Sequence, residues 1–330
     1  MRQRFPRRRA LVAVAAAALL VTAGCGTPPE ETAKAAPAPA AGFPVTVTDA
    51  KGSVTIPAKP QRVVALGYAD IALAQALGAN IVGAVKFPGG TDGRNFPGLA
   101  TPLAPEVTTL DLTTPNPEQI LALKPDLILA TAAQPSYVDA YDQLAKIAPT
   151  IVYKTALLRD SPEDVTTMIG TALGEPQKAA DLIQRSDRQL ADFAAAHPYL
   201  AGKSFVFGQT LPSGLQLMVG DQALSTRVFT KLGLRIPAAF AGKGSPSDPL
   251  GSLTLAKENL GRLSAADVAF IFFYEPSFQQ DPVLQNLALV KEGRLQPIDT
   301  QQAYALLQPN PANTAYVLQT ITPTLEKLKA

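Results

Sequence analysis

The sequence predicts an α/β protein of two lobes joined by one long helix. Three observations point there. Short apolar runs alternate with helix-period segments in both halves, and a 21-residue helix-forming stretch separates the halves. Once an N-terminal leader is set aside, about 306 residues remain, a length at which chains bury most of their surface and divide into lobes.

The leader runs from Met1 through five arginines to an apolar core, Ala10 to Val21, and then Thr22-Ala-Gly-Cys25. Twelve apolar residues are too few to span a bilayer and read as a signal-peptide core. The order of basic, apolar and small residues before the chain's one cysteine looks like a bacterial lipoprotein signal, so residues 1–24 are expected to be cleaved and Cys25 acylated. Arg8-Arg9 leaves open which export route is used. Cleavage removes five arginines and no acids, leaving 24 basic and 27 acidic residues, a net of −3. No basic footprint for nucleic acid survives. Residues 25–43, rich in Pro and Ala, are expected to be a flexible spacer behind the acylated cysteine.

Val45–Thr48 and Ser53–Ile56 alternate with period two about Asp49-Ala-Lys-Gly52 and predict a small hairpin. Arg62–Leu66 is a first buried strand, Asp70–Leu77 a helix stopped by Gly78, and Ile81–Val85 a second strand. Asn116–Leu123 is a short helix with Pro117 at its first position, followed by strand Asp126–Ala130, a helix over Tyr137–Ile147 and strand Thr150–Tyr153. Strands that alternate with helices imply a mostly parallel sheet. Ser161-Pro162 opens a helix, and Pro176 starts another that runs to Ala196. At 1.5 Å per residue those 21 residues make a strut of about 31 Å. Beyond it come strand Ser204–Phe207, helix Thr226–Leu232, a segment Leu253–Leu260, strand Val268–Phe273, helix Pro282–Ala288, strand Leu295–Ile298 and a closing helix Pro311–Leu328. The expected boundaries are 44–158 for the first lobe, 159–200 for the bridging helices and 201–330 for the second lobe.

Four stretches carry a family resemblance. They are Pro60–Leu66 with Ala76-Leu-Gly78 and Val82-Gly83, then Asn116–Ala130, then Leu144–Pro149, and lastly Leu260–Leu295, which includes Asp281–Gln285 and Val290–Arg294. Together they resemble the class III solute-binding proteins of ABC importers, the branch that serves ferric siderophores, haem and cobalamin. The resemblance implies two Rossmann-like α/β lobes, one bridging helix, a ligand cleft between the lobes, and small closure on ligand. It implies a lipid-anchored, extracytoplasmic, monomeric receptor that performs no chemistry and has no covalent cofactor. Its partners would be an Fe(III)-siderophore and an importer permease.

In open parallel sheets ligands sit beyond the carboxyl ends of the strands. Those loops are Gly67-Tyr68, Lys86–Arg94, Thr131–Tyr137, Gly208–Met218 and Tyr274–Phe278. Tyr68, Tyr137 and Tyr274 are the candidate rings and hydroxyls, Gln209 a candidate polar contact, and Lys86 and Arg94 candidate cations for an anionic ligand. The family's hydroxamate-holding arginine corresponds to Leu112, and the tryptophans of those relatives have no counterpart. Another ferric chelate, haem or a corrinoid therefore stays open. The resemblance also assigns Asp142 to permease docking on the first lobe. The matching place on the second lobe is Arg227, which leaves Asp221, Glu258 and Asp267 as substitutes.

Other classes fit poorly. A zinc or manganese receptor needs clustered histidines and carboxylates, and His197 is the one histidine, at a helix end. A nucleophile elbow and a phosphate loop are both missing from the sequence. A surface lipoprotein without transport activity would not need rings and cations at strand ends.

Overall fold

The structure, a computed structural model, describes residues 42–89, 92–248 and 250–329, so the leader, Cys25 and the spacer to residue 41 lie outside the described residues. A hairpin, β1 (Val45–Asp49) and β2 (Gly52–Ile56), precedes two five-stranded sheets. The first sheet has β3 (Val63–Ala65), β4 (Ile81–Val85), β5 (Thr108–Leu110), β6 (Leu127–Ala130) and β7 (Thr150–Val152) in the order β5-β4-β3-β6-β7, all parallel. Its central strands are buried on both faces, which is why Leu127–Ala130 is an unbroken apolar run.

The second sheet has β8 (Phe205–Leu211), β9 (Gly214–Met218), β10 (Ser252–Leu255), β11 (Val268–Phe272) and β12 (Leu295–Ile298) in the order β10-β9-β8-β11-β12. It is mixed: β8, β11 and β12 are parallel, while β9 and β10 run antiparallel. This corrects the expectation of a loop over Gly208–Met218. Strand β8 continues to Leu211, Gly214 turns the chain at φ +133°, and β9 returns along β8. A side chain at Gly214 would meet the Leu255 carbonyl at 2.3 Å, so glycine is needed there.

The strut is present as expected, Pro176–Ala196. Its first half buries Ala179 and Leu182 in the first lobe's core, and Leu190 belongs to the second lobe's core. One rigid element is thus shared by two hydrophobic cores. Ser161 caps the preceding helix, Pro162–Ala172, by accepting the Asp164 N–H, and Asn116 caps Pro117–Ala122 through the Gln119 N–H.

Elsewhere the elements differ from expectation. Tyr137–Ile147 is two short helices, Pro135–Asp139 and Tyr141–Leu144. The closing helix starts at Thr314 and reaches Leu325. A helix over Thr300–Leu307 was not expected, although Asp299 and Gln302 form a full capping box at its start. Among the described residues no helix is long and apolar enough to cross a membrane.

The lobes meet along the carboxyl ends of their strands. Tyr304, on the helix after β12, packs against the first lobe's core, and so does Ala312. Gly98, at φ +85°, lies against the Asn313 backbone, where a Cβ would come within 2.6 Å of Asn313 Cα. Ser186 on the strut and Thr314 on the closing helix share a hydroxyl hydrogen bond of 2.7 Å.

Candidate functional site

On the first lobe, β3 ends at Ala65, and Gly67 leads into the next helix, which begins at Tyr68. The Tyr68 ring is only 5% exposed. Phe87 lies 5.6 Å from it, Phe96 5.7 Å, and Tyr304 of the second lobe 4.8 Å at 78°. The contacts to Phe87 and Tyr304 are edge to face, which suits the ring quadrupole. The Tyr68 hydroxyl is buried with no hydrogen-bond partner in good geometry, although the Tyr304 phenol is close enough to disturb it. Burial first and Tyr304 second push its ionisation well above the ordinary tyrosine range. Tyr68 is therefore a buried ring beneath Tyr304 and not an open one.

Tyr137 also departs from expectation. It is 1% exposed, and its hydroxyl donates to the Asp111 carbonyl at 2.5 Å. Burial, then the Asp111 charge, pushes it up to about 12. With its face covered and its hydroxyl spent, it has nothing to offer a ligand in this conformation. Arg94 is likewise committed, because its guanidinium donates to the carbonyls of Ala104 at 2.9 Å and Val107 at 2.6 Å and so pins the loop between β4 and β5. Of the four first-lobe candidates, Lys86 alone is exposed.

The second lobe contributes an open wall. Tyr274, just past β11, is 64% exposed, with its ring 6.2 Å from Phe272. Phe272 pairs in register with Gln209 on β8, and both are half-buried on the face that also carries Phe205 and Phe207 deeper in the lobe. Gln209 Nε2 donates to Gln216 Oε1 at 2.8 Å. Tyr304 completes the corner. Burial, and secondarily the nearby Tyr274 hydroxyl, raises its ionisation despite the neighbouring Tyr68 hydroxyl. The sequence reading missed Tyr304 because it missed its helix, whose Asp299-x-x-Gln302 box was the available signal.

Asp142 is exposed on the helix Tyr141–Leu144. On the second lobe, Arg227 donates to Gln222 Oε1 at 2.6 Å and to the Arg159 carbonyl at 3.4 Å. Asp221 and Glu258 are exposed. Asp267 accepts the Ser204 N–H and hydroxyl, each at 2.7 Å. Burial alone would raise its carboxyl, but these donors outweigh that and hold it below the usual range. His197 ends the strut, with Nδ1 2.7 Å from the Phe193 carbonyl. Among the described residues no three His, Cys, Asp or Glu side chains converge as a metal site.

A cavity of about 500 Å³ lies elsewhere, lined by Ser186, Leu190, Thr226, Lys231, Asn310 and Val317. None of the candidate residues Tyr68, Lys86, Arg94, Tyr137, Gln209 and Tyr274 line it, and Lys231 on its rim pairs with Glu163 and Asp187. The exposed ring and exposed cation closely follow β11 and β4, and the half-open amide lies toward the end of β8, so these residues make the candidate site.

Comparison with known proteins gives the family and the fold. The model of the family described as periplasmic binding protein matches residues 63–301. The Fe(3+) dicitrate-binding periplasmic protein of Escherichia coli (strain K12) is 26% identical over 264 residues, covering 78% of this chain and 83% of that protein. The ferric-anguibactin-binding protein of Vibrio anguillarum is 30% identical over 275 residues, covering 79% and 81%. Among solved structures, a periplasmic solute binding protein from Mycobacterium smegmatis superposes with a TM-score of 0.70 at 27% identity, over 87% of this chain and 99% of that one.

Proposed function

The chain belongs to the periplasmic binding protein family, and from that premise we propose that it captures a ferric siderophore or similar iron chelate and hands it to the permease of an ABC importer. The observation that carries this reading is the seam at Tyr68 and Tyr304, which fixes the two lobes beneath an open wall of Tyr274, Phe272 and Gln209. A cleft whose floor is already packed is preformed, which suits a bulky, rigid ligand. The buried phenols of Tyr68 and Tyr304 resist ionisation, so the floor offers neutral aromatic surface and not phenolate ligands for bare iron. The metal then arrives inside its own organic shell. Relatives named for ferric dicitrate and ferric anguibactin support that ligand class.

In this reading Tyr274 and Gln209 contact the chelate from the second lobe and Lys86 meets its negative charge from the first. Asp142 docks the first lobe on the permease. Cys25 anchors the receptor to the outer face of the cell membrane, with more than one acyl chain needed for a lasting hold. The chain has eight tyrosines and no tryptophan, so its fluorescence reports on those rings. Titration with ferric dicitrate, a ferric trihydroxamate, a ferric catecholate, haemin and cobalamin is expected to give saturable quenching with at least one ferric chelate. A response to haemin or cobalamin alone would reassign the ligand, and silence from all five would overturn the receptor.

A further inference from the structure

Resting on that reading and going beyond it, we infer that the second lobe fixes the hydrogen-bonding polarity of its side of the cleft: Gln209 is held as an acceptor and selects chelates that present an N–H, O–H or ammonium donor there. The reason is a chain of hydrogen bonds that runs in one direction across three strands. Gln209 Nε2 donates to Gln216 Oε1 at 2.8 Å, and Gln216 Nε2 donates to Ser252 Oγ at 2.9 Å. The Ser252 hydroxyl in turn donates to the Asp248 carboxylate. Gln209 and Gln216 are register partners on β8 and β9, and Ser252 lies on the adjoining β10.

The direction is set at the far end. A carboxylate only accepts, and Asp248 also takes the N–H groups of Leu250 at 2.9 Å and Ser252 at 3.3 Å. The one hydroxyl hydrogen of Ser252 is thereby committed, which leaves its oxygen lone pairs for Gln216. Turning Gln216 over would set its carbonyl against the Ser252 oxygen with no hydrogen between them. Turning Gln209 over would do the same against Gln216. The anchor is itself held from outside the sheet, because Arg159 donates to the carbonyls of Pro246 and Asp248, each at 2.7 Å.

An isolated surface glutamine flips freely and serves donors and acceptors alike, but this one cannot flip without breaking the chain. Its Oε1 has no partner among the described residues and is not among the buried unpartnered atoms, so it opens beside Phe272 toward solvent. Lys86, on the first lobe, asks for the opposite pole. The two walls together suit a chelate with an acceptor or anionic end and a donor end.

A matched pair of probes tests this: ferric tris(acetohydroxamate), which carries N–H groups, and ferric tris(N-methylacetohydroxamate), which carries none. The wild type is expected to bind the N–H form roughly three- to tenfold more tightly, the worth of one net hydrogen bond. Gln209→Met, which keeps the length and removes the acceptor, should bring the ratio near one, and Ser252→Ala should lower it by freeing both amides to turn. A ratio unchanged in both variants overturns the inference. A second measurement needs no ligand. The side-chain amide protons of Gln209 should exchange slowly in the wild type and shift in Ser252→Ala, and an unmoved signal rules out the chain whatever the ligand proves to be. Failure of every chelate to bind wild type would instead overturn the receptor reading, while the amide signal still reports on the chain.

Discussion

The rings of Tyr68 and Tyr304 meet edge to face across the two lobes, 4.8 Å between centroids and 78° between planes. One opens the first helix of the first lobe, and the other lies on the helix after the last strand of the second. Tyr68→Phe should leave stability unchanged or raise it by up to about 1 kcal/mol, because it deletes a buried hydroxyl whose one neighbour, the Tyr304 phenol, is poorly aligned with it. Tyr304→Ala should lower it by about 3 kcal/mol through the cavity it leaves between the lobes. Urea unfolding of both variants checks the pair, and a destabilised Tyr68→Phe would mean that the hydroxyl is satisfied after all.

Arg94 and Lys86 sit on one loop and should separate cleanly. Arg94→Met removes two carbonyl contacts, with an expected cost of about 2 kcal/mol and ligand affinity within twofold of wild type. Lys86→Met should leave the melting temperature unchanged and weaken an anionic ferric chelate several-fold. The reverse pattern would return Arg94 to the cleft.

Asp70 is fully buried, and its carboxyl accepts the Thr131 N–H at 3.2 Å and the Thr131 hydroxyl. Burial raises it from 3.8 to about 6 even though these donors favour its charge. The folded state thus keeps its proton where the unfolded chain has lost it. The associated stability is fully present below pH 3.8 and is lost as pH rises through about 6, a change of about 3 kcal/mol that opposes the usual gain from other carboxylates. Asp70→Asn should remove that falling segment from the stability profile between pH 4 and 6, as read by denaturant midpoints. Identical slopes in the two proteins would show that Asp70 titrates normally.

Arg159→Met should free the segment around Asp248, which its guanidinium holds through two carbonyls. The expected loss is about 2 kcal/mol, with faster amide hydrogen exchange at Gly251, whose N–H donates to the Asp248 carbonyl. Unchanged exchange there would show that the loop holds itself.

Cys25→Ser should move the protein from the membrane fraction to the medium with ligand binding intact. Retention in the membrane would mean that the anchor is something other than this cysteine.

Much of the fold was legible because its signals are local. Ser161-Pro162 and Asn116-Pro117 announce helix starts by capping chemistry that needs no tertiary partner. The strut's 21 residues appear at full length because its amphipathic period is unbroken. Strands β5 and β9 were not legible: Thr108–Leu110 is two threonines and a leucine, and Gly214–Met218 opens in a Pro212-Ser213-Gly214 turn that reads equally as loop. Each is a strand because a neighbouring edge accepts it.

The candidate site divides along the same line. The sequence by itself determined that Tyr68, Lys86 and Tyr274 stand close to strand ends, since apolar runs stop beside them, whereas Gln209 proved to lie inside β8. Which of them stay exposed was decided only by tertiary packing. Exposure depends on what the other lobe covers: Tyr304 closes over Tyr68, Tyr137 turns inward to the Asp111 carbonyl, and Arg94 is spent on Ala104 and Val107. These are contacts between groups up to 236 positions apart, and they form only when both cores have packed against the one helix they share.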